Sequence, residues 1–432
     1  MTIKTSKRNI YQQYTYSYPH KHAYRILENP IALKLEWQKE NQSNLFAYLH
    51  IPFCEMRCGF CNLFTIANPK NGVGEYLDAL QREALTYQSS LPNKKFEEYA
   101  IGGGTPTFLS PSQLEKMLSI FQNNLGVEMK EKYGSIEASP KSITTEKIKL
   151  IEAYGINRIS MGIQSWIEAE TKLLGRPQKI EEVTQAIEKI KSSKIPEINL
   201  DLIYGIYGQT KKSWRYSLEK TLNYEPTEIF LYPLYTRPLT GLSKMQKESI
   251  DNRLELFRIG RDFLKNNGYE QISMRCFRKK NTPYISNNYK STQDGMIGIG
   301  AGARSYTKDL HYSTNYAVSR KATKAIIHAY SERENFNTIN YGFYLNQEER
   351  MRRFLIKSLI DGGKLNVADF QNDFGKDVLS IGIVNELLEN NWLEENEKGF
   401  QLSEKGMEME DAIGPMIFSE NVKLLMEEFE LS

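Results

Sequence analysis

The residues with the clearest capacity for chemistry are three cysteines packed into eight positions: Cys54-Glu55-Met56-Arg57-Cys58-Gly59-Phe60-Cys61. The 432-residue sequence has only four cysteines, so the cluster is not a matter of abundance. Three thiolates on one short loop can ligate three irons of a [4Fe–4S] cluster and leave the fourth iron open to a small molecule. A zinc site built from Cys54, Cys58, Cys61 and His50 is the competing arrangement. A disulfide framework fits less well, because three close cysteines and a distant Cys276 lack the even, regular set of a secreted scaffold. Cys276 has no partner by spacing and reads as a small buried hydrophobe.

Such a loop needs a scaffold. From residue 46 to about 275, short apolar runs alternate with helical segments. The runs are Phe46–Ile51, Tyr99–Ile101, Gly134–Glu137, Arg158–Met161, Ile198–Leu202 and Glu228–Tyr232. Helical patterns lie between them near 73–90, 111–124, 144–154, 179–193 and 212–223. This βα repetition predicts an α/β fold with a parallel sheet and helices outside it. Six units are too few for an eight-stranded barrel, so the pattern predicts an open, partial (β/α)6 barrel. Ser110-Pro111 and Thr144 with Glu146 mark helix starts.

In such sheets functional residues gather at the C-terminal strand ends. The first strand runs into the cysteine loop, and the second into Gly102-Gly103-Gly104-Thr105-Pro106-Thr107. The next three end in Glu137, in Met161-Gly162-Ile163-Gln164, and in Asp201. Glu137, Gln164 and Asp201 are costly to bury alone. One of them would read as a helix cap; the series beside a cysteine loop reads as a shared site. The glycine run lets backbone amides approach a ligand closely. No Lys-Ser/Thr follows it, which argues against a P-loop.

Domain organisation follows from the pattern: a Tyr-rich extension over 1–45, the βα region over 46–335, and a second block over 340–432. The extension holds Tyr11, Tyr14, Tyr16, Tyr18 and Tyr24, with an apolar body and polar tip each. Packing on the main domain is its preferred reading over lining a site. His20, Lys21, His22 and Arg25 are either pocket contacts for a carboxylated substrate or surface residues. In the second block, Asn346–Ile360 reads as a helix with Met351, Phe354, Leu355, Ser358 and Leu359 on one stripe. Val367–Phe374, a helix at about 378–390 and a hairpin through Trp392-Leu393 and Phe400-Gln401-Leu402-Ser403 follow. The order is winged-helix-like. Glu394, Glu395 and Glu397 argue against DNA, so a packing or substrate-capping role is expected.

Composition is that of a soluble globular protein, 40% hydrophobic and 25% charged, and the net charge of +3 does not point to nucleic acid. No apolar run reaches the about 20 residues of a membrane span. Met1-Thr2-Ile3-Lys4-Thr5-Ser6-Lys7-Arg8 has no apolar run behind it, so no secretory signal is expected. A cytoplasmic monomer is the expectation, since an oxygen-sensitive cluster suits a reducing compartment.

The spacing C-x3-C-x2-C after an apolar strand resembles the radical S-adenosylmethionine (SAM) superfamily. The longer strings Tyr48-Leu49-His50-Ile51-Pro52-Phe53-Cys54, Gly102 to Thr107, Arg158-Ile159-Ser160-Met161-Gly162-Ile163-Gln164-Ser165, Asp201-Leu202-Ile203-Tyr204-Gly205 and Gly298-Ile299-Gly300-Ala301-Gly302-Ala303 narrow the likeness. They resemble the oxygen-independent coproporphyrinogen III dehydrogenase family (HemN, with the related HemW and class C radical SAM methyltransferases), in a bacterial subgroup. The resemblance implies a [4Fe–4S] cluster on Cys54, Cys58 and Cys61, two SAM molecules, and a reductant such as flavodoxin or ferredoxin. It places the cluster-bound SAM against Tyr48, Phe60, Gly103 and Glu137. It places the second SAM against Gly104, Thr105, Gln164, Arg176 and Asp201. Glu137 and Asp201 are the catalytic candidates it implies.

Two departures shape the functional expectation. Porphyrinogen dehydrogenases carry a further cysteine just after the third ligand, where this chain has Asn62. The haem-chaperone motif His-Asn-x-x-Tyr-Trp is not matched by His311-Tyr312-Ser313-Thr314-Asn315-Tyr316. The expected activity is therefore carbon transfer (methylation, methylene insertion or cyclopropanation) on a small molecule. Coproporphyrinogen-type oxidative decarboxylation is the first alternative, and a cluster-bearing haem chaperone the second.

Overall fold

The computed structural model describes residues 10–11, 14–69, 71–236, 238, 240–244, 251–283, 288–362 and 364–430; residues 1–9 of the expected extension lie outside these. The first strand, β1 (Arg25–Ala32), precedes the cysteine loop. Six parallel strands follow, at the positions the apolar runs predict: β2 (Leu45–Ile51), β3 (Phe96–Gly103), β4 (Tyr133–Ala138), β5 (Arg158–Gln164), β6 (Glu197–Tyr204) and β7 (Glu228–Pro233). Between them run α1 (Val73–Ser90), α2 (Pro111–Ser119), α3 (Thr145–Ala153), α4 (Ile180–Lys191) and α5 (Lys211–Leu222). Their starts are set locally. Ser110 and Gln113 form a reciprocal cap with Pro111 at the first turn, and Thr144 accepts from the Lys147 N–H.

The strands alternate as a period of two requires. Ile136 of β4 and Ile159, Met161 and Ile163 of β5 are fully buried in the core shared with the helices. Glu137, Ser160 and Gly162 occupy the other, inner face. That core also contains Leu49, Ile101, Leu200 and Leu231 from neighbouring strands.

The sheet is larger than the sequence pattern suggests. After α6 (Arg253–Asn266), strands β8 (Tyr269–Gln271) and β9 (Cys276–Lys279) extend one edge antiparallel to β7. On the other edge β10 (Met296–Ile299) adds a seventh parallel strand beside β2, and β11 (Arg304–Tyr306), β12 (Leu310–Ser313) and, after α7 (Arg320–Ser331), β13 (Thr338–Tyr344) continue it antiparallel. The order is β1-β13-β12-β11-β10-β2-β3-β4-β5-β6-β7-β9-β8, thirteen strands in one sheet. Strand β1 from the extension thus closes the far edge. Cys276 pairs with Phe230, which pairs with Asp201, so the thiol shares the inner face with that carboxylate and does not sit in the apolar core.

The C-terminal block has its own core. It contains α8 (Gln347–Asp361), α9 (Val367–Phe374), α10 (Gly382–Glu389) and a three-stranded antiparallel sheet of β14 (Lys364–Asn366), β15 (Leu393–Asn396) and β16 (Gly399–Leu402), in the order β14-β16-β15. The helix expected over 378–390 begins only at Gly382, after a tight turn at Val378–Ser380. Three short helices end the chain: α11 (Glu404–Glu408), α12 (Glu410–Ile417) and α13 (Glu420–Glu427). Phe354, Leu355, Leu359, Phe370 and Phe400 pack here together with Tyr18 and Tyr24 of the extension. Arg25 donates to the Leu425 carbonyl at 2.6 Å, so it holds α13 and does not enter a pocket.

Charge joins this block to the sheet. Arg275 is almost fully buried between Glu410, at 2.8 Å, and Asp411, both equally enclosed. Arg258 and Arg261 grip Glu408 at 2.7 Å each. Removing one partner of such a buried set strands the others. Replacing Arg275 by Met should cost about 3–5 kcal/mol of stability. Adding Glu410→Gln and Asp411→Asn to that variant should recover most of the loss in thermal and urea unfolding; an equally unstable triple variant would mean that packing, not charge, makes the joint.

Candidate functional site

The cysteine loop leaves the C-terminal end of β2 and is fixed mainly through its backbone. Phe53–Cys54 pairs in parallel with Ile66–Ala67. The Thr105 N–H donates to the Phe53 carbonyl at 2.8 Å, and the Gly104 N–H to that of Ile51 at 2.7 Å. Gly59 is the tightest point. Its N–H donates to the Leu174 carbonyl at 2.9 Å, and its own carbonyl accepts from the Leu242 N–H at 2.9 Å. A Cβ at Gly59 would fall 2.8 Å from the Leu174 oxygen, so only glycine fits. Phe60 beside it packs on Leu174, Ile203, Ile206, Leu234 and Leu242.

The three thiols are free and half-buried. Thr105 Oγ1 donates to Cys54 Sγ at 3.6 Å, and Arg176 Nη1 lies 4.0 Å from Cys58 Sγ. Among the described residues, no three His, Cys, Asp or Glu side chains meet to hold a single metal ion. The zinc arrangement also lacks its fourth ligand. His50 Nε2 is engaged by the Phe64 carbonyl at 3.1 Å and Nδ1 by the Tyr48 hydroxyl at 3.2 Å. Burial lowers the His50 pKa to about 4, so the ring is neutral. The donor set fits a [4Fe–4S] group: three soft thiolates, each able to serve a separate iron, with N–H and O–H donors near two of the sulfurs.

The glycine run and Glu137 form the next layer. The Gly103 N–H donates to Glu137 Oε2 at 3.1 Å. Gly103 has φ +116°, and a Cβ there would meet the His50 ring at 2.8 Å. A Cβ at Gly104 would meet Cys54 Sγ at 2.8 Å. Glu137 is accessible from the inner face, yet enclosed enough that its pKa rises to about 7. Burial is the largest cause and the nearby Asp201 carboxylate the second; the Gly103 N–H and Arg158 oppose them.

Gln164, Arg176 and Asp201 gather around Gly162. Arg176 Nη2 donates to the Gly162 carbonyl at 2.7 Å, and a Cβ at Gly162 would lie 2.4 Å from Gln164 Nε2 and 3.4 Å from Arg176 Nη1. Gly162 pairs with Asp201 across β5 and β6, with a bulge before Gln164. Gln164 takes φ +64°, a strained geometry for a residue other than glycine and one that recurs at binding sites. Asn199 donates to Asp201 at 2.6 Å, while burial raises the Asp201 pKa. All twelve residues singled out from the sequence therefore lie on the cysteine loop, within or at the ends of the parallel strands beside it, or in the loops that follow those strands. Sequence reasoning missed Gly59, Arg158 and Arg304. The Gly inside C-x2-C and the Gly175-Arg176 pair were the available signals for the first; the other two each begin a strand, with nothing in the sequence to set them apart.

The radical SAM superfamily signature matches residues 48–220. The haem chaperone HemW of Lactococcus lactis subsp. lactis (strain IL1403) is 30% identical over 278 residues, covering 62% of this chain and 70% of that protein. The chain belongs to the radical SAM family that includes HemN and HemW. The oxygen-independent coproporphyrinogen III oxidase of Escherichia coli (strain K12) is 25% identical over 434 residues and covers 92% of each chain. The solved structure of coproporphyrinogen III oxidase (HemN) from E. coli, described as a radical SAM enzyme, superposes with a TM-score of 0.75 at 22% identity, over 88% of this chain and 91% of that one. That likeness establishes the α/β radical SAM fold.

The position of Glu137 sets a pH dependence. Below pH about 7 its carboxyl is neutral and a poorer acceptor for sugar hydroxyls; above it the carboxylate accepts fully. SAM affinity should rise up to about 10-fold between pH 6 and 8 in the wild type and stay flat in Glu137→Gln. Equilibrium dialysis checks this, and a slope unchanged in the variant would remove Glu137 from SAM binding.

Proposed function

We propose that the protein is a radical SAM oxidoreductase of the coproporphyrinogen-oxidase kind, acting on a small molecule. Carbon transfer, the first expectation from sequence, becomes the second reading. What supports this order is the extent of the likeness. The E. coli oxidase matches 92% of both chains, whereas the Lactococcus haem chaperone matches 62% of this one. The oxidase match thus extends to the extension and the C-terminal block.

In this reading Cys54, Cys58 and Cys61 hold a [4Fe–4S] cluster over an open, partial barrel. When bound, that group supplies one-electron cleavage of SAM to methionine and a 5′-deoxyadenosyl radical. The chain's own residues do the rest. The Gly102–Gly104 backbone and Tyr48 bound one side of the SAM pocket, and Glu137 accepts from ribose hydroxyls. Phe60 covers the cysteine loop. The winged-helix-like block and the tyrosines of the extension limit water at the strand ends, which protects a radical from quenching. A substrate C–H held at the strand ends would be the hydrogen donor to that radical, with 5′-deoxyadenosine as the product that reports it. The electron comes from a carrier such as flavodoxin or ferredoxin. Among the described residues no helix is long and apolar enough to cross a membrane.

Asn62 in place of a further cysteine favours the carbon-transfer reading, whereas Gln164, Arg176 and Asp201 around Gly162 would serve a second SAM in either reading. Anaerobic turnover with labelled SAM separates the two. Wild type and Cys276→Ala should form 5′-deoxyadenosine, and alanine at Cys54, Cys58 or Cys61 should abolish it. S-adenosylhomocysteine or methylthioadenosine among the products would move the assignment to carbon transfer. Cleavage persisting without the three cysteines would end both readings.

A further inference from the structure

Four arginines of this sheet are placed so as to face its inner side or the strand-end joint, and three of them have acids. Arg158 pairs with Glu228 at 2.7 Å, Arg278 with Glu197 at 2.9 Å, and Arg275 with Glu410 and Asp411. Arg304 is the exception. It lies on β11 opposite Gly298 of β10, and Gly298 pairs with Tyr48 of β2. A Cβ at Gly298 would collide with the Arg304 backbone, its carbonyl oxygen lying 2.2 Å away, so the two strands meet closely only because this residue is glycine. Its one side-chain hydrogen bond runs from Nη1 to Ser17 Oγ at 2.6 Å. Its plane lies over the rings of Tyr16 and Tyr306, at 4.7 and 5.7 Å. The ionisable groups that act on it are Tyr16, Tyr306, Tyr24 and Tyr48, with no carboxylate of the described residues among them.

The surroundings add no negative charge. His311, one step along the same face, is 1% exposed, and neither of its ring nitrogens has a hydrogen-bond partner. Its ring lies 4.3 Å from that of Tyr306, and the charged groups acting on it are Arg353, Arg304 and Lys357. An enclosed guanidinium without an anion is costly. Its planar fork suits a carboxylate in two-point contact, and tyrosine hydroxyls flank the same space. The resemblance places the second SAM against Arg176, whose guanidinium would take its carboxylate, and the open iron would take that of the first, so neither SAM carboxylate needs Arg304.

We propose that Arg304 is the anchor for a carboxylate of the small-molecule substrate, held beside Tyr48 and under Tyr16 of the extension. The proposal rests on the radical SAM reading for its place beside SAM, and deepens it by naming the residue of this chain that positions the substrate through a carboxylate.

The test uses the full reconstituted protein with saturating SAM and a panel of acetate, succinate, benzoate and coproporphyrin III, each against its methyl ester. Binding is read by thermal shift and equilibrium titration. At least one acid should bind wild type better than its ester, and Arg304→Gln should weaken that acid roughly 10- to 150-fold. Arg304→Lys should restore part of it. Ser17→Ala, which removes the tether of the extension but keeps the cation, should bind the acid as wild type does. Uncoupled 5′-deoxyadenosine formation should be unchanged in Ser17→Ala. No acid binding to wild type, equal binding to Arg304→Gln, or the same loss in Ser17→Ala would overturn the proposal. Loss of SAM cleavage in the wild type would instead strike the radical SAM reading, because acid binding is measured without turnover.

Discussion

The site depends on one close approach. Gly59, between the second and third cysteines, has both its backbone groups bonded, to loops that follow β5 and β7. Gly175 and Gly241 press on it from those loops, and a Cβ on either would come within 2.9 and 3.1 Å of it. The cysteine loop is thus docked backbone to backbone over the strand ends. That docking brings Arg176 to Cys58 and Phe60 into its apolar patch. Without it the three thiols would hang on a loop with no fixed relation to Glu137 or Asp201.

Below that dock, the sheet places ionisable residues on its own inner face, and pairing decides which are structural. Arg158, Arg278, Glu197 and Glu228 neutralise one another toward the strand starts. Toward the strand ends, burial raises the pKa of both Glu137 and Asp201, the Asp201 carboxylate adds to the cost at Glu137, and neither has an arginine in direct contact among the described residues. Charges satisfied internally make a floor; charges left without a counter-ion make a place for ligands. Arg304 falls in the second class by the same criterion.

Much of this was legible in the sequence because it is local. The six apolar runs, their intervening helices and the caps at Ser110 and Thr144 are patterns of neighbours along the chain. The cysteine spacing and the polar residues ending each strand follow from those patterns. What escaped is long-range. Strand β10 is four residues long and joins the parallel set only by lying beside β2. Cys276 looked apolar until its pairing with Phe230 turned it to the inner face. The tyrosines of the extension divide their labour: Tyr11 packs in the large core, Tyr18 and Tyr24 in the C-terminal one, while Tyr14 meets Tyr232 and Tyr16 lies against Arg304. No spacing rule separates them, because each role is set by a partner hundreds of residues away.

The most direct test of the account is electron paramagnetic resonance of the anaerobically reconstituted, dithionite-reduced protein, before and after SAM. A cluster held by three cysteines has one iron open to the amino and carboxylate groups of SAM, so its ligand field must change on binding. The account predicts a reduced [4Fe–4S] signal whose g values shift when SAM is added, with about four irons per chain. A protein that holds zinc and no iron, or a cluster whose spectrum is indifferent to SAM, would contradict it.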